Sequence, residues 1–276
     1  MNILIIKGFG FFMEYFIGLI LPFIGTTLGS ACVFFMKNSL NEWIYKSLLG
    51  FASGVMIAAS VWSLLIPSME MTSHLGMLSC LPAITGFFLG IAFLFVIDRL
   101  IPHLHLKNTT PEGPKSKLGH SVMLILAVTI HNIPEGMAIG VVFSGLLQDN
   151  INISLASALT LSIGIAIQNF PEGAIISMPL RSEGNSIFKS FMYGTLSGIV
   201  EPIASIFTLL MTKAISTSLP YFLSFAAGAM IYVVIEELLP KGIDDSNTTA
   251  NNMTDVCIIG FAVGFALMMA LDVIFG

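Results

Sequence analysis

Long apolar stretches, each closed by a short polar or Pro/Gly-containing break, organise the whole chain. A bilayer core of roughly 30 Å needs about 20 apolar residues per helix. On that scale the sequence divides into eight spans, at about 14–36, 46–69, 76–101, 118–146, 152–180, 188–214, 218–240 and 255–276. The longest breaks are 102–117, between spans 3 and 4, and "KGIDDSNTTANNMTD", between spans 7 and 8; the rest are tight turns. The first apolar run, from Glu14 past Pro22 to Met36, is too long for the h-region of a cleavable signal and has no A-x-A site, so it reads as span 1. The pattern predicts an all-α integral membrane protein, a single transmembrane domain over 1–276.

Composition agrees: charged residues make up 10% of the chain and the mean hydropathy is +0.92, whereas a soluble domain carries about 25% charge. Cys32, Cys80 and Cys257 have no CxxC spacing and suggest neither a disulfide framework nor a thiolate metal site. The formal charge of −5 says little about partners, because the informative acids lie inside spans. Lys and Arg are divided nine to two between alternate sides, which by the positive-inside rule puts both termini outside the cytoplasm in a multi-pass cell-membrane protein.

A second pattern has a longer period. Shifted by 174 residues, "FASGVMI" (51–57) falls on "FAAGAMI" (225–231) and "GFFLGIA" (86–92) on "GFAVGFA" (260–266), with Asp98 on Asp272. Spans 2 and 3 thus resemble spans 7 and 8, five helices later. An odd separation reverses direction through the membrane, so this is an inverted repeat of the kind that builds many secondary transporters. Spans 4 and 5 are left in the centre.

Those two spans say nearly the same thing: "HNIPEG" from 131 and "QNFPEG" from 168. On a helix His131, Asn132 and Glu135 share one side, as do Gln168, Asn169 and Glu172. Pro134 and Pro171 each remove a backbone hydrogen bond and free a carbonyl to face a cavity. Two carboxylates at mid-membrane, joined by Glu201 of "GIVEPIAS" on span 6, are costly unless something cationic offsets them. No Lys or Arg lies within the core of a span to do so. One buried Glu is satisfied by a proton and a hydrogen bond, and one His by packing; a doubled constellation points instead to a divalent metal held by His, Glu and amide oxygens. On span 2, Ser63 and Glu70 follow Met56 at seven-residue intervals, one face along which an external cation would be led inward.

At these residues the chain resembles the ZIP (Zrt/Irt-like) divalent metal transporters, and more specifically their GufA-like branch. The resemblance covers essentially the whole chain and implies eight helices, with an inverted three-helix repeat (1–3 and 6–8) around helices 4 and 5. It implies a binuclear centre: His131, Glu135, Gln168 and Glu172 around one ion, Asn132, Asn169 and Glu201 completing a second, and the two glutamates bridging. Met56 matches a family position lining the primary site. Asp98, His103, His105, Glu236 and Glu237 match the cluster that receives outgoing metal on the cytoplasmic side. Two departures stand out. Many members have His where this chain has Gln168, a harder ligand that relaxes selectivity for zinc, and an acid is common where Asn169 stands.

The expected activity is uptake of a divalent transition metal into the cytoplasm, zinc foremost, with iron, manganese and cadmium as alternatives. It would proceed by alternating access, with helices 1, 4, 5 and 6 moving against 2, 3, 7 and 8. Expected partners are the metal ions and the lipid bilayer, with a homodimer as an open oligomeric state, and no nucleic acid; no catalytic cofactor is expected. Two other classes stay open on the residues alone. A bimetal intramembrane hydrolase would use carboxylate-bridged metals to activate water, but the chain lacks an HExxH run. A proton-coupled carrier working without metal leaves His131 and the amides unexplained.

Overall fold

The computed structural model describes residues 2–35, 41–101, 120–147, 153–211, 218–243 and 251–275. They form eight helices long and apolar enough to cross a membrane: α1 (Met13–Phe34), α2 (Glu42–Met71), α3 (Cys80–Leu100), α4 (Ile125–Gly145), α5 (Leu155–Ser182), α6 (Ile187–Leu210), α7 (Leu219–Ile243) and α8 (Thr254–Phe275). No strand occurs among the described residues. His103 and His105, with the break at 102–117, lie outside the described residues.

Local chemistry sets several helix ends. The side chains of Asn41, Ser154 and Ser186 accept hydrogen bonds from the backbone N–H groups of Trp43, Ser157 and Lys189, satisfying first-turn donors of α2, α5 and α6. Beyond α5, Gly184 takes φ 94°, a left-handed exit that any Cβ would disfavour.

Helix pairing follows the inverted repeat. The most extensive contacts join α2 to α8 and α3 to α7, then α1 to α5 and α4 to α6. Exchanging the two halves turns each of these pairs into the other member of its set. The contacts repeat at the atomic level. A Cβ on Gly54 would sit 2.1 Å from the carbonyl oxygen of Phe261, and one on Gly228 would sit 2.1 Å from that of Phe87. Conversely, Gly264 meets the carbonyl of Phe51 and Gly90 that of Phe225, at 2.2 and 2.0 Å. Under the 174-residue offset the four contacts form two image pairs, Gly54–Phe261 with Gly228–Phe87 and Gly264–Phe51 with Gly90–Phe225. Apolar helices in lipid gain little from burial against one another, so close backbone approach across glycine is what associates them.

One feature has no counterpart in the sequence reading, which treats spans 2 and 7 as plain helices. Each changes to π-helical hydrogen bonding part-way along, at Ser60–Leu65 in α2 and Val234–Leu238 in α7. These segments start at repeat-equivalent positions. A π turn carries an extra residue and re-aims the side chains beyond it, and such turns concentrate at functional sites.

The interior is layered accordingly. Helix α5 is the most buried, with α2, α4 and α7 close behind, while α3 and α8 show most of their surface to the outside.

Candidate metal centre

Charged and amide side chains gather where α1, α4, α5 and α6 meet. Asn132, Gln168, Asn169 and Glu201 are fully buried, and Glu135 is 1% exposed. Their helices approach this closely because the motif glycines face backbone: a Cβ on Gly136 would lie 2.3 Å from the carbonyl oxygen of Glu201, and one on Gly173 2.1 Å from that of Thr26.

Glu201 is the hub of the hydrogen bonding. Its Oε1 accepts from the Thr26 hydroxyl and the Asn132 amide, both at 3.1 Å, and its Oε2 accepts from the Asn169 amide at 2.7 Å. Asn132 also donates to the Ser197 carbonyl oxygen at 3.2 Å. A carboxylate only accepts, so each asparagine must present its NH2 group to Glu201 and turn its Oδ1 the other way. Those two Oδ1 atoms, both oxygens of Glu135 and both amide atoms of Gln168 are buried without a hydrogen-bond partner. Buried polar atoms are almost always paired. Apart from the Gln168 amide nitrogen, which is a hydrogen-bond donor, these atoms are oxygens with free lone pairs, a hard ligand set around a carboxylate that suits a divalent cation. Glu172, 8% exposed, stands one turn further along α5.

His131 is buried but looks elsewhere. Its Nδ1 pairs with the carboxylate of Glu237 on α7, and its Nε2 lies 3.8 Å from Asp98 Oδ1 on α3. Asp98, His131 and Glu236 bring one ligand atom each within 4.8 Å of one another, close enough to share a metal ion. By its motif His131 is expected in the central set, with the acids as a separate exit; in the structure both imidazole nitrogens face the acids. Helical spacing puts His131 and Glu135 on one side, but an imidazole has two nitrogens and here both reach toward α3 and α7.

At the opposite end of α2, the Ser63 hydroxyl donates to Asp272 Oδ2 at 2.9 Å. Together with Trp62, Glu70 and Ser157 they line a cavity of about 370 Å³. Met56 is fully buried in the main apolar core.

Two participants escape the sequence reading. Thr26 binds Glu201, and Asp272 binds Ser63. An offset of 175 would have found the first, since it places Thr26 on Glu201 and Ser30 on Ser205; the Ser205 hydroxyl donates to the Gly136 carbonyl at 2.8 Å, and Ser30 reaches that of Gly173 at 3.4 Å.

The site's motifs fall in a region with a recognisable family pattern: residues 116–272 match the family model described as "ZIP Zinc transporter". The chain belongs to the ZIP family. It is 33% identical to the human zinc transporter ZIP11, an alignment covering 90% of this chain and 94% of that protein. It is 34% identical to the zinc transporter GufA of Myxococcus xanthus, over 91% and 96% of the two, and 32% identical to the zinc transporter ZIPB of Bordetella bronchiseptica, over 92% and 79%. Membership of the ZIP family makes the chain a multi-pass metal transporter and sets the hydrolase reading aside.

Proposed function

We propose that this ZIP protein carries divalent metal, zinc foremost and iron, manganese or cadmium less favoured, into the cytoplasm through a binuclear centre on α4, α5 and α6. The observation that carries the reading is the group of partnerless buried oxygens on Asn132, Glu135, Gln168 and Asn169. One ion is held by Glu135, Gln168 and Glu172, with His131 as the fourth ligand when it turns from Glu237. The second is held by Asn132, Asn169 and Glu201, with Glu135 and Glu172 bridging. Glu201 then binds through Oε2 alone, since both lone pairs of Oε1 are taken by Thr26 and Asn132. Met56 lines the primary position.

External metal approaches past Ser63 and Glu70 and leaves through Asp98, Glu236 and Glu237 toward His103 and His105. Helices α1, α4, α5 and α6 move against α2, α3, α7 and α8.

Replacing Glu201 by Gln is expected to lower bound metal from about two ions per chain to about one and to keep measurable transport. Metal content and radiometal uptake into proteoliposomes are measured on one preparation. Wild-type protein holding a single ion, or a variant still holding two, overturns the binuclear reading.

Orientation is tested separately. With cysteines introduced singly at Asn38, Thr110 and Asn247 in a cysteine-free background, an impermeant thiol reagent is expected to leave intact cells unlabelled, whereas Ser73, Asn150 and Ser216 replacements label. The reverse pattern inverts the topology.

A further inference from the structure

The two ends of the repeat are not charged alike. Under the 174-residue offset Asp98 coincides with Asp272, but Glu236, Glu237 and Lys241 fall on Trp62, Ser63 and Pro67. At the α2 end the pair is mild: one carboxylate, Asp272, accepting from one hydroxyl, Ser63. At the α7 end the same place holds three carboxylates around His131, with Glu237 on its Nδ1 and Asp98 facing its Nε2. Asp98 and Glu237 are 7% and 5% exposed. Buried carboxylates in one cluster repel, and each carries a desolvation penalty of several kcal/mol unless paired. The extra acids come with an extra cation: the Lys241 ammonium, one helical turn on, donates to Glu237 Oε1, and its side chain is only 10% exposed.

We propose that Lys241 is a resident cation of the exit cluster, holding Glu237 when no metal is there, giving way to a divalent ion as it arrives, and speeding its release on returning. Asp98, His131 and Glu236 are placed to share an ion, while Glu237, the fourth ligand within reach of His131, is engaged by the lysine. A lysine suits this role because its ammonium is a compact charge on a flexible stem, able to withdraw without disturbing the backbone. Because an arriving ion must displace the ammonium to gain Glu237, and the ammonium competes to return, an outgoing ion is not trapped. The inference rests on the exit reading given above, but its test does not depend on transport.

The test uses the full-length purified chain carrying Glu135→Ala and Glu172→Ala, which removes the bridging ligands of the central site and leaves the exit cluster. Cobalt(II) is the probe, followed by equilibrium dialysis and its absorption bands. In that background Lys241→Met is expected to bind one ion per chain about tenfold more tightly than the Lys241 parent, a change of about 1.4 kcal/mol. Lys241→Arg, which keeps the charge and can pair Glu237 bidentately, is expected to bind no more tightly than the parent. Equal affinity in the Met variant and the parent, or an Arg variant that behaves like Met, overturns the proposal and leaves Lys241 as a helix-end neutralising charge. Should Lys241→Met not fold, the wild-type chain still decides. Acetylation of Lys241 by an amine-reactive ester, read by peptide mass spectrometry, is expected to rise when cobalt(II) saturates the protein. Unchanged labelling overturns the displacement. Retained affinity changes with failed uptake would count against the transport reading and not against Lys241.

Discussion

Metal uptake is expected to fall to background when either Glu135 or Glu172 is replaced by Ala, a loss of at least about 100-fold, the upper end of what even an outer-sphere change costs a metal site. The stability of the metal-free protein should move the other way. Neither oxygen of Glu135 makes a well-formed hydrogen bond, although the residue is 1% exposed and the Gln168 and Asn169 side chains lie beside it. A polar group buried in this state contributes a penalty to the fold, and removing it is neutral or stabilising. Thermal unfolding in detergent with metal chelated is therefore expected to give the Glu135→Ala protein a midpoint at or above that of the wild type. Uptake is read as initial radiometal flux into proteoliposomes. A variant that keeps half the wild-type flux would remove Glu135 from the transport site. A variant that loses both flux and stability would make its role structural.

The second large effect concerns assembly. Gly54→Val and Gly228→Val are each expected to abolish most of the folded, monodisperse protein, and by similar amounts. Each would drive a side chain into a backbone carbonyl 2.1 Å from the Cβ position. Overpacking against movable side chains already costs about 1–3 kcal/mol, and a helical backbone yields less. Val263→Leu, at a position 54% exposed on the outward face of α8, is the control and should be tolerated. Fluorescence-detected size exclusion and the melting temperature check this. If one glycine accepts valine and its partner does not, the two halves do not pack as images of each other.

The same glycines explain why so much of the architecture was legible. The residues that persist between the halves, Phe51 and Phe225, Gly54 and Gly228, Phe87 and Phe261, Gly90 and Gly264, are those that meet at the contacts, so the repeat in the letters is the repeat in the packing. Span positions were readable because hydropathy and length set them directly. The ligand-bearing faces of α4 and α5 were readable because three- and four-residue spacing fixes a side of a helix.

Spacing does not fix where an atom points. Nothing in "HNIPEG" says that His131 turns to Glu237 on a distant helix, or that Asn132 and Asn169 present nitrogen to Glu201 and oxygen inward. Those choices are made by partners far away in sequence. Thr26 is hidden in the sequence for a related reason. A threonine inside a span commonly bonds back to the carbonyl four residues earlier, as Thr26 does to Pro22 at 3.3 Å, and that local bond hides the one to Glu201. The π segments left no trace at all, since Ser60–Leu65 and Val234–Leu238 share little beyond a leucine and are shaped by what surrounds them.

That both halves carry the π segment bears on the history of the chain. Separate insertions of one residue at the same point of two oppositely oriented copies would be a coincidence, whereas one insertion in an ancestral half-chain, copied when the gene doubled, needs none. The π segment is then older than the division of labour between the two ends. Descendants of one ancestral position became Trp62 and Glu236, those of the next became Ser63 and Glu237, and inside and outside acquired their different chemistry on a shape they already had in common.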